Sequence, residues 1–134
     1  MRKLLLPLLV FMMLFSGCQS EIIKSSDVDS ITITALPSPP KVKIIDKKVD
    51  VEKIVLFINS ISKEKIKLKE NINGWVFLIK TKGKEEHSIS FIGSMVNIDN
   101  AWYKIDTNET KKLRELYNKL DYKEKSIINQ KQLK

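Results

Sequence analysis

Trp75-Val76-Phe77-Leu78-Ile79-Lys80 is apolar on both parities, with Trp75, Phe77 and Ile79 on one side and Val76 and Leu78 on the other. A strand of that kind sits in the middle of a sheet, because an edge strand or a one-sided strand keeps one parity polar. Asn71-Ile72-Asn73-Gly74 before it reads as a turn, and Lys82-Gly83 after it as a hairpin turn. Downstream, Ser88 and Ser90 alternate with Ile89 and Phe91, Gly93 interrupts, and Met95 to Ile98 resumes. Asp99-Asn100 is a two-residue hairpin connection leading into Trp102-Tyr103-Lys104-Ile105. Upstream, Lys63 to Lys69 sets Ile66 and Leu68 against lysines, the pattern of an edge strand guarded by charge.

Two helices frame this run. Val51, Ile54, Val55, Ile58 and Ile61 recur at helical spacing, with Asp50 placed to cap the first turn and Leu56 and Phe57 widening the apolar stripe. Leu113, Leu116, Tyr117 and Leu120 form a second stripe, opened by Asp106 with Glu109 three residues on, as in a capping box. Ahead of the first helix, Ile31-Thr32-Ile33-Thr34 alternates strictly as a strand does. Pro37, Pro39 and Pro40 end it as a stiff connector, and Lys41 to Ile45 resumes extended. The expected fold is α+β: an antiparallel sheet of about five to six strands with two helices packed on one face. Trp75, Phe77, Ile54, Ile58, Leu116 and Leu120 are expected to be buried together.

The N-terminus carries a different message. Arg2 and Lys3 precede the apolar run Leu4 to Phe15, and Ser16-Gly17 precede Cys18, the one cysteine of the chain. That is the layout of a secretory signal with small residues before a cut. The run has twelve residues, too few for a bilayer span of roughly 20, and Pro7 disfavours a buried helix interior. With the cysteine at the cut, the segment resembles a bacterial lipoprotein signal whose lipobox cysteine is acylated. The resemblance implies a diacylglyceryl group on the Cys18 sulfur. Residues 1–17 are then the signal, 18–28 a lipidated tether, 29–121 a single domain and 122–134 a flexible basic tail.

Removing residues 1–17 takes Arg2 and Lys3, so 24 basic residues become 22 against 16 acidic ones, a formal charge of +6. Nearly all of that charge is lysine, scattered among glutamates, with Arg114 the one arginine left. Nucleic-acid sites favour clustered arginine forks, so nucleic acid is not an expected partner. Attraction to anionic headgroups or wall polymers remains open.

Catalytic chemistry has little to stand on. His87 is the one histidine, of the same parity as Ile89 and Phe91, and sequence alone identifies no group to orient it. Asn97, Asp99 and Asp106 do not have the spacing of a calcium loop, and turn and cap roles account for the two aspartates. The four glycines lie far apart, so no phosphate loop is expected. No catalytic residue, metal or cofactor is therefore assigned.

The aromatics are the remaining candidates. Alternation puts Trp102 and Lys104 on one side of their strand, opposite Tyr103 and Ile105. If the latter pair packs under the helices, Trp102 faces outward as a binding anchor and Lys104 supplies steering charge. Two function classes follow: a non-catalytic surface module binding a protein or an anionic wall polymer, and an extracytoplasmic enzyme with an unrecognised site. A third, an inhibitor or immunity-type lipoprotein, would present a flat apolar patch.

The lipobox, Ser30-Ile31-Thr32-Ile33-Thr34, Ile44-Ile45-Asp46, Asn73-Gly74-Trp75, Ile89-Ser90-Phe91-Ile92-Gly93, Trp102-Tyr103-Lys104-Ile105 and the Leu113 to Leu120 helix together resemble a family of small uncharacterised lipoproteins of Gram-positive bacteria (Bacillus and relatives). The resemblance implies a lipid-anchored position on the outer face of the cell membrane and carries over no functional residues.

Overall fold

The computed structural model describes residues 21–36, 40–67 and 76–126. Strands β1 (Val28–Ala35) and β2 (Lys41–Ile45) lead into helix α1 (Lys48–Ser60). Strands β3 (Glu64–Ile66), β4 (Phe77–Gly83), β5 (Ser88–Ile92), β6 (Met95–Ile98) and β7 (Ala101–Lys104) follow, then helix α2 (Thr107–Lys119) and β8 (Lys125–Ser126). All strands join one antiparallel sheet in the order β3-β7-β6-β5-β4-β1-β2-β8. The sheet thus has eight strands, not five to six. The edge strands are short: β3, anticipated from the lysine alternation, has three residues, and β8, which was not, has two, too few for a period to register.

Cross-strand register sorts the side chains into two faces. Ile98, Ile89, Ile79 and Ile33 lie in one row across β6, β5, β4 and β1. Val96, Phe91, Phe77 and Ala35 form the next row of the same face. Every one of these side chains is buried. Both helices cover this face. Val51, Ile54, Val55 and Ile58 of α1 join the core, and Phe57 meets Phe91 with ring centroids 6.3 Å apart. From α2, Leu113 is fully buried and Tyr117 packs on Phe77 at 6.0 Å. Within the expected core, Phe77, Ile54, Ile58 and Leu120 are buried, Leu116 is only half-buried at the core margin, and Trp75 lies outside the described residues. Leu56 does not widen the buried stripe; it points to solvent, 67% exposed.

The turns differ in how they work. Asp99 and Asn100 take φ of 48° and 71°, so the β6–β7 connection is the two-residue hairpin that paired positive φ allows. Gly93 supplies the positive φ between β5 and β6. Lys82-Gly83 is not a turn: both residues lie in β4, and the chain reverses over 84–87. Glycine is needed at 83 because a Cβ there would collide with the Asp27 carbonyl oxygen, which accepts from Lys84 N at 3.0 Å.

Both ends of the expected domain extend further. Ile23, expected in the tether, is 2% exposed in the core. The Asn59 side chain accepts from the Ile22 and Ile23 amides at 3.0 and 3.1 Å and donates to the Ile23 carbonyl at 2.8 Å. A 3-10 turn, Ser25–Asp27, then feeds β1. At the other end, Lys125–Ser126 pairs with β2, and the Tyr122 hydroxyl donates to Asp50 Oδ2 at 2.7 Å. Residues 21–28 and 122–126 are therefore part of the folded body. Asp50 sits inside the first turn of α1, after an N-cap at Lys47 that has no side-chain cap bond. Asp106 does cap α2, accepting from Asn108 N at 2.9 Å, but Glu109 pairs with Lys112 at 3.3 Å instead of closing a capping box.

Candidate functional site

Among the described residues, the other face of the sheet has no helix on it. One row crosses all eight strands: Ile66, Trp102, Asn97, Ser90, Leu78, Thr34, Val42 and Lys125. The row beside it runs Glu64, Lys104, Met95 and Ile92. Alternation along β7 dictates this placement, because Tyr103 and Ile105 turn to the core, where Ile105 is buried and Tyr103 packs at the margin. Trp102 and Lys104 thus share the helix-free face, Trp102 half-buried between Ile66 and Asn97, Lys104 exposed.

The face is divided. Towards β2, Thr34 and Val42 are buried. Towards β3, the surface formed by Ile66, Trp102, Met95 and Ile92 is half-open. Lys80, Lys82, Lys104 and Lys125 are exposed on the same side, and Glu64 is the acidic residue at the register positions of this face. The arrangement offers flat apolar and amide contact with cations around it, suited to holding an anionic surface and not to enclosing a small molecule.

His87 lies elsewhere, in the loop between β4 and β5. Its Nδ1 donates to Asp99 Oδ2 at 2.6 Å, its Nε2 is 3.5 Å from Glu85 Oε2, and its amide donates to Thr81 Oγ1 at 2.9 Å. Asp99 also accepts from Ser88 N at 2.9 Å. The partner that orients His87 is thus a turn residue twelve positions on. Its positive φ is legible in the sequence; its pairing is not. A cleft of about 220 Å³ beside the imidazole is lined by Glu21, Ile22, Ile23, Lys24, Asp27, Val28, Glu85 and His87. Among the described residues that lining has no hydroxyl or thiol; Lys24 and the carboxylates are its reactive groups. Among the described residues no group of three or more His, Cys, Asp or Glu is placed to hold a metal ion.

A third polar feature lies in the core. Lys43 follows the four isoleucines of the buried row, paired with Ile33. Only 5% of it is exposed. Its Nζ donates to the carbonyls of Tyr117 and Leu120 at 2.7 and 2.9 Å and sits 4.3 Å from the Tyr117 ring centroid. The lysine caps the C-terminal end of α2, where carbonyls lack helical partners and the helix dipole favours a cation. The Tyr117 hydroxyl is buried without a hydrogen-bond partner. Burial, then the charge of nearby Glu124, pushes its pKa up to about 12.

Cys18 lies outside the described residues, and among them no helix is long and apolar enough to cross a membrane. Comparison of the chain with known protein families, curated proteins and solved structures finds no match in any of the three.

Proposed function

We propose that the protein is a lipoprotein of the outer face of a bacterial cell membrane, held by lipid on Cys18, whose domain binds an anionic wall polymer through its helix-free sheet face. The signal layout ending at Gly17-Cys18 and the resemblance to small Gram-positive lipoproteins support the address. One observation carries the binding role: Trp102 and Lys104 share an uncovered face on which exposed lysines outnumber the single glutamate. A half-exposed indole contributes most when a partner finishes covering it, and lysines around it raise the encounter rate. A protein partner with an acidic surface satisfies the same chemistry and is the outcome to separate from it.

The test is sedimentation of the acylated protein with isolated cell walls, before and after chemical removal of their anionic polymer. Binding that disappears with the polymer, falls with salt, and is lost in Trp102→Ala and Lys104→Glu while both variants still melt cooperatively is the expected result. Wall binding indifferent to both substitutions rejects this face. Capture of an acidic protein through the same two residues rejects the polymer as ligand. Cys18→Ser moves the protein out of the detergent phase if the address is right, and unchanged partitioning rejects it.

A further inference from the structure

Resting on the lipid anchor proposed above, we infer that the outer surface of α1 lies on the membrane, with Leu56 and Val49 in the headgroup layer and the Trp102 face turned away from it. Three observations lead there. The first is the length of the leash. Ile22 and Ile23 are clamped to α1 by Asn59, so the fixed body of the domain begins next to Glu21. Three peptide units separate Cys18 from Glu21, a Cα–Cα distance of at most about 11 Å. Acyl chains on Cys18 therefore cannot hold the domain clear of the bilayer; they hold it against the surface.

The second observation is which surface lies within that reach. Glu21, Lys24, Glu52, Leu56 and Asn59 border one cleft of about 330 Å³, so the point where the leash meets the body adjoins the outer face of α1. The third is what that face exposes. Val49 and Leu56, 64% and 67% exposed, are the most exposed large apolar side chains among the described residues. They are seven residues apart, two helical turns, and so stand on one line along the axis, facing away from Ile54 and Ile58 in the core. Lys53, exposed, and Glu52, half-buried, lie between them. An apolar pair with a lysine beside it, parallel to a surface, is how a helix rests in a headgroup layer, and the lysine meets lipid phosphates there.

The geometry also fixes the other side. Because α1 lies on the buried face of the sheet, its outer surface and the Trp102 face point in opposite directions. Membrane lipid is thereby removed as the anionic ligand of Trp102 and Lys104.

The experiment uses the full acylated chain in vesicles of phosphatidylethanolamine and phosphatidylglycerol doped with a spin-labelled lipid quencher. Acylation occupies the natural thiol, so Leu56→Cys and Lys80→Cys each provide one position for an environment-sensitive dye. Both sites are exposed, which leaves the fold intact. Mass measurement of the N-terminal peptide reports acylation separately. With Cys18 acylated, the dye at 56 should lose several-fold more emission to the quencher than the dye at 80. Equal quenching, or stronger quenching at 80, overturns the orientation while leaving the anchor standing. An unmodified Cys18 overturns the anchor itself and this orientation with it.

Discussion

The two faces of the sheet are made from the same strands yet obey different rules. On the covered face, the two central rows from β6 to β1 carry isoleucine, valine, phenylalanine and alanine, and none of them is exposed. On the open face, the same strands present Asn97, Ser90, Leu78 and Thr34 in one row, with lysines around them. Adjacent residues therefore answer to different constraints: Phe91 is fixed by close packing under α1, whereas Ser90, half-buried, lies between Leu78 and Asn97 on the other face. The covered face is where stability resides. The open face is under no such packing constraint.

That contrast is open to direct attack. Phe91→Ala, which empties a fully buried site against Phe57 and Phe77, should cost about 3–5 kcal/mol by urea denaturation. Its neighbour Ser90→Ala should stay within about 0.5 kcal/mol. Comparable losses at 90 and 91 would mean that both faces are core. Lys43→Met should cost about 1–3 kcal/mol, because two carbonyls at the end of α2 lose a charged donor. A gain in stability there would mean that desolvating the ammonium outweighs its bonds.

Trp102→Ala should cost about 1 kcal/mol or less, well under half the loss at Phe91, since a half-buried indole leaves no closed cavity. The smallest effect is at Tyr117. Its folded pKa of about 12 exceeds the ordinary 10, so the unfolded chain releases the proton first, and stability falls as pH rises from 10 to 12. Tyr117→Phe should be near neutral at pH 7 and lose less stability than wild type over that alkaline window, measured by thermal melts across pH.

Much of this was legible because local rules and tertiary packing agree. The central strand at 77–80, the edge position of Glu64–Ile66 and the Asp99-Asn100 hairpin each follow from patterns contained in a few residues. The shared side of Trp102 and Lys104 follows from alternation alone. What was hidden depends on partners distant in sequence. Ile22-Ile23 has no period of its own, and its place is set by Asn59, 36 and 37 residues away. Gly83 mimics a turn residue but is required by the backbone of Asp27. Lys43, in a Lys-Val-Lys run, reads as a solvated side chain until the end of α2 is set beside it. Asp99 reads as a turn former, and nothing local shows that its carboxylate also holds His87.

The bond from Lys43 to the Leu120 carbonyl spans 77 positions. A chain synthesised from its N-terminus completes β1, β2 and β4 before residue 120 follows. During that interval the ammonium of Lys43 has no carbonyls to receive it, and water must remain at the end of the isoleucine row. The inner layer can dry only when the last helix arrives, so closure of the domain waits for almost the whole chain. α2 cannot leave without uncovering Lys43, which ties departure of the helix to wetting of β2.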